Sequence, residues 1–260
     1  MSHLSAALLG AIAGATIFIG LPIGRIRRVS RAVQGMLNAI ATGVLVFLLW
    51  DILNHATSPV ETSLAALRRG DQTFLALVVI FGAGLAAGLM SLIYVNARLF
   101  GRTRGAAAAA PRTLAMMIAT GLGLHNLSEG LAIGQSAATG AVAFVVVLVI
   151  GFALHNITEG FGIAAPLTME ATAPTWGFLA TAGLIGGGPT FLGTVVGYVF
   201  TSTYIYVLFL ALAAGALLYV INEMFHIGRR LNSPVAMGWG LLGGFLLAFA
   251  TDLLLTYLAA

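Results

Sequence analysis

The chain has no cysteine and no lysine, and only 8% of its 260 residues are charged. Without cysteine there is no disulfide framework and no thiolate ligand. Any metal bound here must be held by nitrogen and oxygen donors. The shortage of charge excludes an ordinary water-facing surface, because a soluble domain carries about 25% charged residues. With 60% of its residues hydrophobic, the chain has a bilayer as its solvent. Net charge is +4 and the pI is about 10, yet this is no nucleic-acid surface. Every basic residue is arginine, and most sit in short gaps between apolar runs, as membrane orientation signals do. No P-loop, nucleotide site or Ser-His protease pattern is present. The first apolar run begins almost at once, and Arg25, Arg27, Arg28 and Arg31 follow it rather than precede it. That order is not the one of a cleavable signal peptide; it reads as a first span with its N-terminus outside.

A span needs about 20 mainly apolar residues. Eight segments qualify: residues 5–24, 33–54, 73–97, 113–137, 140–166, 175–199, 203–225 and 235–258. The expected fold is an all-α membrane protein of eight transmembrane helices, one domain over residues 1–260. The connections after spans one, three, five and seven hold Arg25, Arg27, Arg28, Arg31, Arg98, Arg102, Arg104, Arg112, Arg229 and Arg230; Arg68 and Arg69 lie on the other side. The arginine-rich side is cytoplasmic and both termini face out. The longest cytoplasmic connection, 98–112, contains the low-complexity run Ala106–Ala110 and no histidine, so it is not a metal-collecting loop. Gly84 and Gly88, Gly193 and Gly197, and Gly240 and Gly244 form small-xxx-small pairs suited to close helix packing. Gly186–Gly188 followed by Pro189 predicts a broken or bent sixth span.

Two matching polar patches stand inside apolar spans. Span four contains His125-Asn126-Leu127-Ser128-Glu129-Gly130, and span five contains His155-Asn156-Ile157-Thr158-Glu159-Gly160. On a helix His125 and Glu129 lie at i and i+4, and Asn126 and Glu129 at i and i+3, so the three share one strip. The same holds for His155, Asn156 and Glu159. A carboxylate at mid-membrane costs about 3 kcal/mol on insertion scales, so two such patches need compensation. The short connection between the spans makes them antiparallel neighbours, and their strips can face each other. Two imidazoles, two carboxylates and two amide oxygens around one space suit a divalent transition cation. Hydrogen-bonded helix glue is the plainer alternative, but glue does not require carboxylates. A thinner polar set lies near the span ends: Asp51, His55 and Asp252 towards the outside, Glu223 and His226 towards the inside. These read as approaches to the central site, and Trp50 reads as an interfacial anchor.

The motif pair, the eight spans and the outward termini resemble the ZIP family (Zrt-, Irt-like proteins) of divalent-metal transporters, in particular its bacterial GufA-like branch. His125–Gly134 looks like the family's fourth-span HNxPEGLAxG, His155–Gly160 like its fifth-span HNxPEG, and Ala214–Glu223 like its seventh-span AGAxxYVxxxE. Spans two to eight fall in register; span one matches in length and charge alone. The resemblance implies a multi-pass inner-membrane transporter, not an enzyme. It implies metal ligands His125, Asn126, Glu129, His155, Asn156 and Glu159, no resident cofactor, and a cargo of zinc first, with iron, manganese, cobalt or cadmium as further candidates. It implies transport towards the cytosol and suggests a homodimer. The chain departs from the family pattern in several places. Ser128 and Thr158 replace prolines, Gly188 replaces a sixth-span glutamate, Leu45 replaces a methionine and His226 replaces a proline-glutamate. A single well-formed site is therefore expected, or a second one of lower affinity. Two competing readings are an intramembrane metal-dependent hydrolase and a cation or proton channel.

Overall fold

A computed structural model describes residues 1–26, 30–67, 73–100, 110–200 and 202–259. Arg27, Arg28, Arg68, Arg69, Arg102 and Arg104 fall outside the described residues, as does nearly all of the alanine run. Among the described residues every regular element is helical. The first traverse comprises α1 (His3–Ala15), α2 (Ile17–Gly20) and a 3-10 helix (Leu21–Arg25). Then come α3 (Arg31–Leu67), α4 (Thr73–Phe100), α5 (Pro111–Ala138) and α6 (Val142–Ala164). A second 3-10 helix (Ala165–Met169) extends α6, and α7 (Trp176–Val199), α8 (Thr203–Leu231) and α9 (Pro234–Ala259) complete the chain.

Local signals set several helix ends. The hydroxyls of Ser2 and Thr175 accept the amides of Ser5 and Phe178, each at 3.1 Å, and so cap α1 and α7. Pro111 opens α5 and Pro234 opens α9, where a missing amide has no helical partner to lose. Asn232 at φ 50 ends α8 in the left-handed conformation. Gly140 at φ +80 turns the chain between α5 and α6, a backbone state open to glycine and strained for other residues.

Among the described residues seven helices are long and apolar enough to cross a membrane, by length and composition: His3–Arg25, Arg31–Ala65, Thr73–Tyr94, Val142–Met169, Trp176–Val199, Thr203–Leu231 and Pro234–Leu254. The eighth expected span, α5, has 28 residues, about 42 Å of helix, more than the roughly 30 Å of a hydrocarbon core. Its composition is less apolar because, beside the first polar motif, it is rich in alanine, glycine, serine and threonine where α6 has valine and isoleucine. It packs against α1, α6, α7 and α8, so protein rather than lipid surrounds much of it.

The first traverse changes its hydrogen-bond pattern at Thr16, whose hydroxyl lies 2.7 Å from both Ala13 O and Ala153 O. One expectation needs correcting. In the sixth span, α7 runs unbroken through Gly186–Pro189. Pro189 cannot bond the Ile185 carbonyl, and at that carbonyl α5 comes so close that a Cβ on Gly123 would lie 2.3 Å away. Packing against a neighbour thus keeps the helix continuous where the local sequence alone would break it. The small-residue pairs do seat backbones together. A Cβ on Gly88 would lie 2.1 Å from Leu212 O, one on Gly193 2.1 Å from Leu127 O, and one on Gly244 2.0 Å from Ile40 O.

One end of the bundle carries Arg25, Arg31, Arg112, Arg229 and Arg230. There Arg112 Nε pairs with Glu170 Oε2 at 2.8 Å, Arg25 donates to Pro174 O and stacks 4.5 Å over the Trp176 ring, and Gln34 donates to Thr168 O. These contacts join both 3-10 helices to α3, α5 and α7 in a collar.

Candidate metal site

The motif residues meet where α5 and α6 run antiparallel. Asn126 Nδ2 lies 2.7 Å from Asn156 Oδ1, 2.7 Å from Glu159 Oε2 and 3.0 Å from Gly186 O. All three neighbours are acceptors, which fixes the amide's orientation, and Asn126 Oδ1 has no hydrogen-bond partner. Asn156 Nδ2 donates to Ala13 O at 3.1 Å, so this side chain spends both of its amide atoms on protein partners. His125 Nε2 approaches Glu129 Oε1 to 3.3 Å, an ion-pair distance without hydrogen-bond alignment. Ser128 and Thr158, standing at the family's proline positions, give their hydroxyls to His125 O and His155 O at 2.6 and 2.7 Å.

Above this cluster lies a cavity of about 360 Å³. His125, Glu129 and His155 line it, together with Asp51, His55 and Asp252. The helices that form it run so that the cavity sits towards the end opposite the arginine collar. Asn126, Asn156 and Glu159 are fully buried and do not line it. The six motif residues therefore form two layers, an outer one with both imidazoles and an inner one with both amides. Among the described residues no group of three or more His, Asp or Glu side chains is gathered tightly enough to hold an ion. Asp51 and His55 pair with each other at 3.2 Å. Glu223 and His226 are half-buried on the collar-side part of α8, away from the cavity. Trp50 is 51% exposed, as an anchor at the bundle surface would be.

Six buried side-chain atoms without a hydrogen-bond partner mark the same place. They are His125 Nδ1 and Nε2, Asn126 Oδ1, Glu129 Oε2, His155 Nε2 and Glu159 Oε1. Each unsatisfied buried group costs about 1–3 kcal/mol, so six of them in one cluster is a large local penalty. Nitrogen and carboxylate oxygen donors with no sulfur match the preferences of a divalent transition cation. Such an ion would satisfy these atoms and offset the carboxylates.

Several participants lie outside the sequence reading. The Ala13 carbonyl and Thr16 hydroxyl bring the first traverse against α6. The signal was available in Gly10 and Gly14, a small pair that packs on Thr194 and Gly187 of α7. The Gly186 carbonyl and Thr190 of α7 carried no sequence signal beyond lying in a glycine-rich span. Position 188, where the family's glutamate was expected, lies on the face of α7 that carries the exposed Leu184 and Leu192, and a Cβ there would meet nothing within 4 Å.

The family model for the ZIP zinc transporter matches residues 101–251, which takes in α5 to α8, most of α9 and both motifs. No curated protein matches the chain. The match spans more than half of the sequence and contains the polar cluster just described. The chain is a multi-pass membrane protein of the ZIP zinc transporter family, a family of divalent metal cation transporters.

Proposed function

We propose that the protein carries a divalent transition-metal cation, zinc first among them, across the inner cell membrane towards the cytosol, through a site built from His125, Asn126, Glu129, His155, Asn156 and Glu159. The observation that carries this reading is the set of six unpartnered, buried nitrogen and oxygen atoms on five of these residues. The cation enters the cavity past Asp51, His55 and Asp252, whose carboxylates raise its local concentration. It exchanges water for the imidazoles of His125 and His155 and the carboxylate of Glu129. It then passes to the inner layer, where Glu159 and the Asn126 oxygen face it, and leaves towards Glu223 and His226. Proton binding at the same nitrogens and carboxylates competes with the ion and favours release. The small-residue seams allow helices of the bundle to shift against one another during the cycle.

The test is uptake of radioactive or dye-detected zinc into liposomes holding the purified protein. Glu129→Ala and Glu159→Ala should each lower flux by at least tenfold, an expected loss on the scale of one charged ligand. Unchanged flux in both variants would sink the proposal.

A further inference from the structure

Thr190 of α7 is fully buried, and its hydroxyl has no hydrogen-bond partner. That is unusual for a helical threonine. Thr42, Thr120, Thr181, Thr194 and Thr251 all donate to the carbonyl four residues back, at 2.7–3.0 Å. The carbonyl four residues before Thr190 is that of Gly186, and it accepts instead from Asn126 Nδ2. The motif amide thus occupies the acceptor that the threonine would otherwise use. The surroundings leave Thr190 little else. A Cβ on Gly130 of α5, one turn beyond Asn126, would lie 2.1 Å from Thr190 O, and one on Gly14 of α1 would lie 3.2 Å from Thr190 Cβ. Thr190 therefore sits in the wedge where α1, α5 and α7 close on the inner layer. Gly188 lies about 200° away around the helix, so Thr190 shares its side of α7 with Gly186, whose carbonyl holds Asn126.

We infer that Thr190 supplies an oxygen to the cargo ion in the inner layer and sets its metal preference. This rests on the transport reading above. The unpartnered atoms of that layer are Asn126 Oδ1 and Glu159 Oε1, and with Thr190 Oγ1 added its donors are all oxygen, whereas the outer layer adds imidazole nitrogens. Oxygen donors suit harder cations such as manganese, and nitrogen donors suit zinc and its softer neighbours. One carboxylate in the inner layer also means weak holding, which suits a waypoint that must release. Two layers of different hardness act as successive filters, and the threonine hydroxyl belongs to the second.

The experiment compares manganese and cadmium uptake, and equilibrium binding of each metal, for wild type, Thr190→Val, Thr190→Ser and Thr190→Ala in liposomes. Valine keeps the shape and removes the hydroxyl, serine keeps the hydroxyl, and alanine removes it without any risk of a clash. The manganese-to-cadmium uptake ratio should fall about tenfold in the valine and alanine variants, the size of one lost polar contact. Serine should restore the ratio. A wild-type ratio in the valine or alanine variant overturns the inference. An equal loss for both metals, unrescued by serine, overturns it too, since that is the signature of packing. Absence of manganese uptake by the wild type overturns the hardness assignment. If Glu129→Ala abolishes flux while the ratio holds in the threonine variants, the inference fails and the transport reading stands. If Glu129→Ala and Glu159→Ala both leave flux intact, the transport reading itself fails.

Discussion

Asn126 and Asn156 occupy matching places in the two motifs, but their surroundings differentiate them. Asn126 keeps a free oxygen, while Asn156 Oδ1 accepts from Asn126 and its Nδ2 reaches the Ala13 carbonyl. Spacing within each helix shows which residues share a strip, so the His, Asn and Glu sets were legible from sequence. Which atoms of each set stay free depends on α1 and α7, which bring their own acceptors, and no periodicity encodes that. Asn156→Leu removes both amide bonds in a fully buried place, so it should destabilise the protein by about 1–3 kcal/mol. A lowered thermal midpoint in detergent is the readout. His155→Ala, which leaves both amides in place, should lower zinc affinity with a smaller change in the midpoint.

Among the elements, the glycines separate two kinds of helix surface. Gly160 of α6 faces the first traverse so closely that a Cβ would lie 2.2 Å from Ile17 O, and Gly20 meets Ile157 O at 2.3 Å in the same way. These contacts are backbone against backbone, so no side chain can yield. Gly160→Ala should therefore displace α2 from α6 and cost about 1–3 kcal/mol or more, with a fall in folded yield on size-exclusion chromatography. Gly188→Ala meets open space, and alanine is the better helix former by about 1 kcal/mol. It should leave the folded yield equal or raise it. The small-residue pairs were visible in the sequence because their spacing is local. The persistence of α7 through Gly186–Pro189 was not, because packing on Gly123 and Gly14 decides it.

At the scale of the whole molecule, the cavity and the arginine collar lie at opposite ends of the bundle. On the proposed orientation, which the charge asymmetry supports, the collar end is cytoplasmic and the cavity faces outward in this conformation. The lack of native cysteine makes the point testable with single introduced thiols. Thr139→Cys, in the turn between α5 and α6, should react with a membrane-impermeant maleimide in intact cells. Arg230→Cys, on the collar side, should react after permeabilisation alone. The reverse pattern would invert both the orientation and the direction of transport.

Composition alone determined that this chain lives in a bilayer, because 8% charge cannot solvate a surface. The period of the helix alone determined that the two motifs present aligned polar strips, and arginine placement gave the orientation that the labelling tests. The tertiary structure decided how those strips divide. It put His125, Glu129 and His155 on the open cavity and buried Asn126, Asn156 and Glu159 beneath it. It also brought a carbonyl from the first traverse and the Gly186 carbonyl of α7 to their side. Spacing along one helix fixes angles around that helix, whereas the depth of a side chain and the atoms it meets depend on helices distant in sequence.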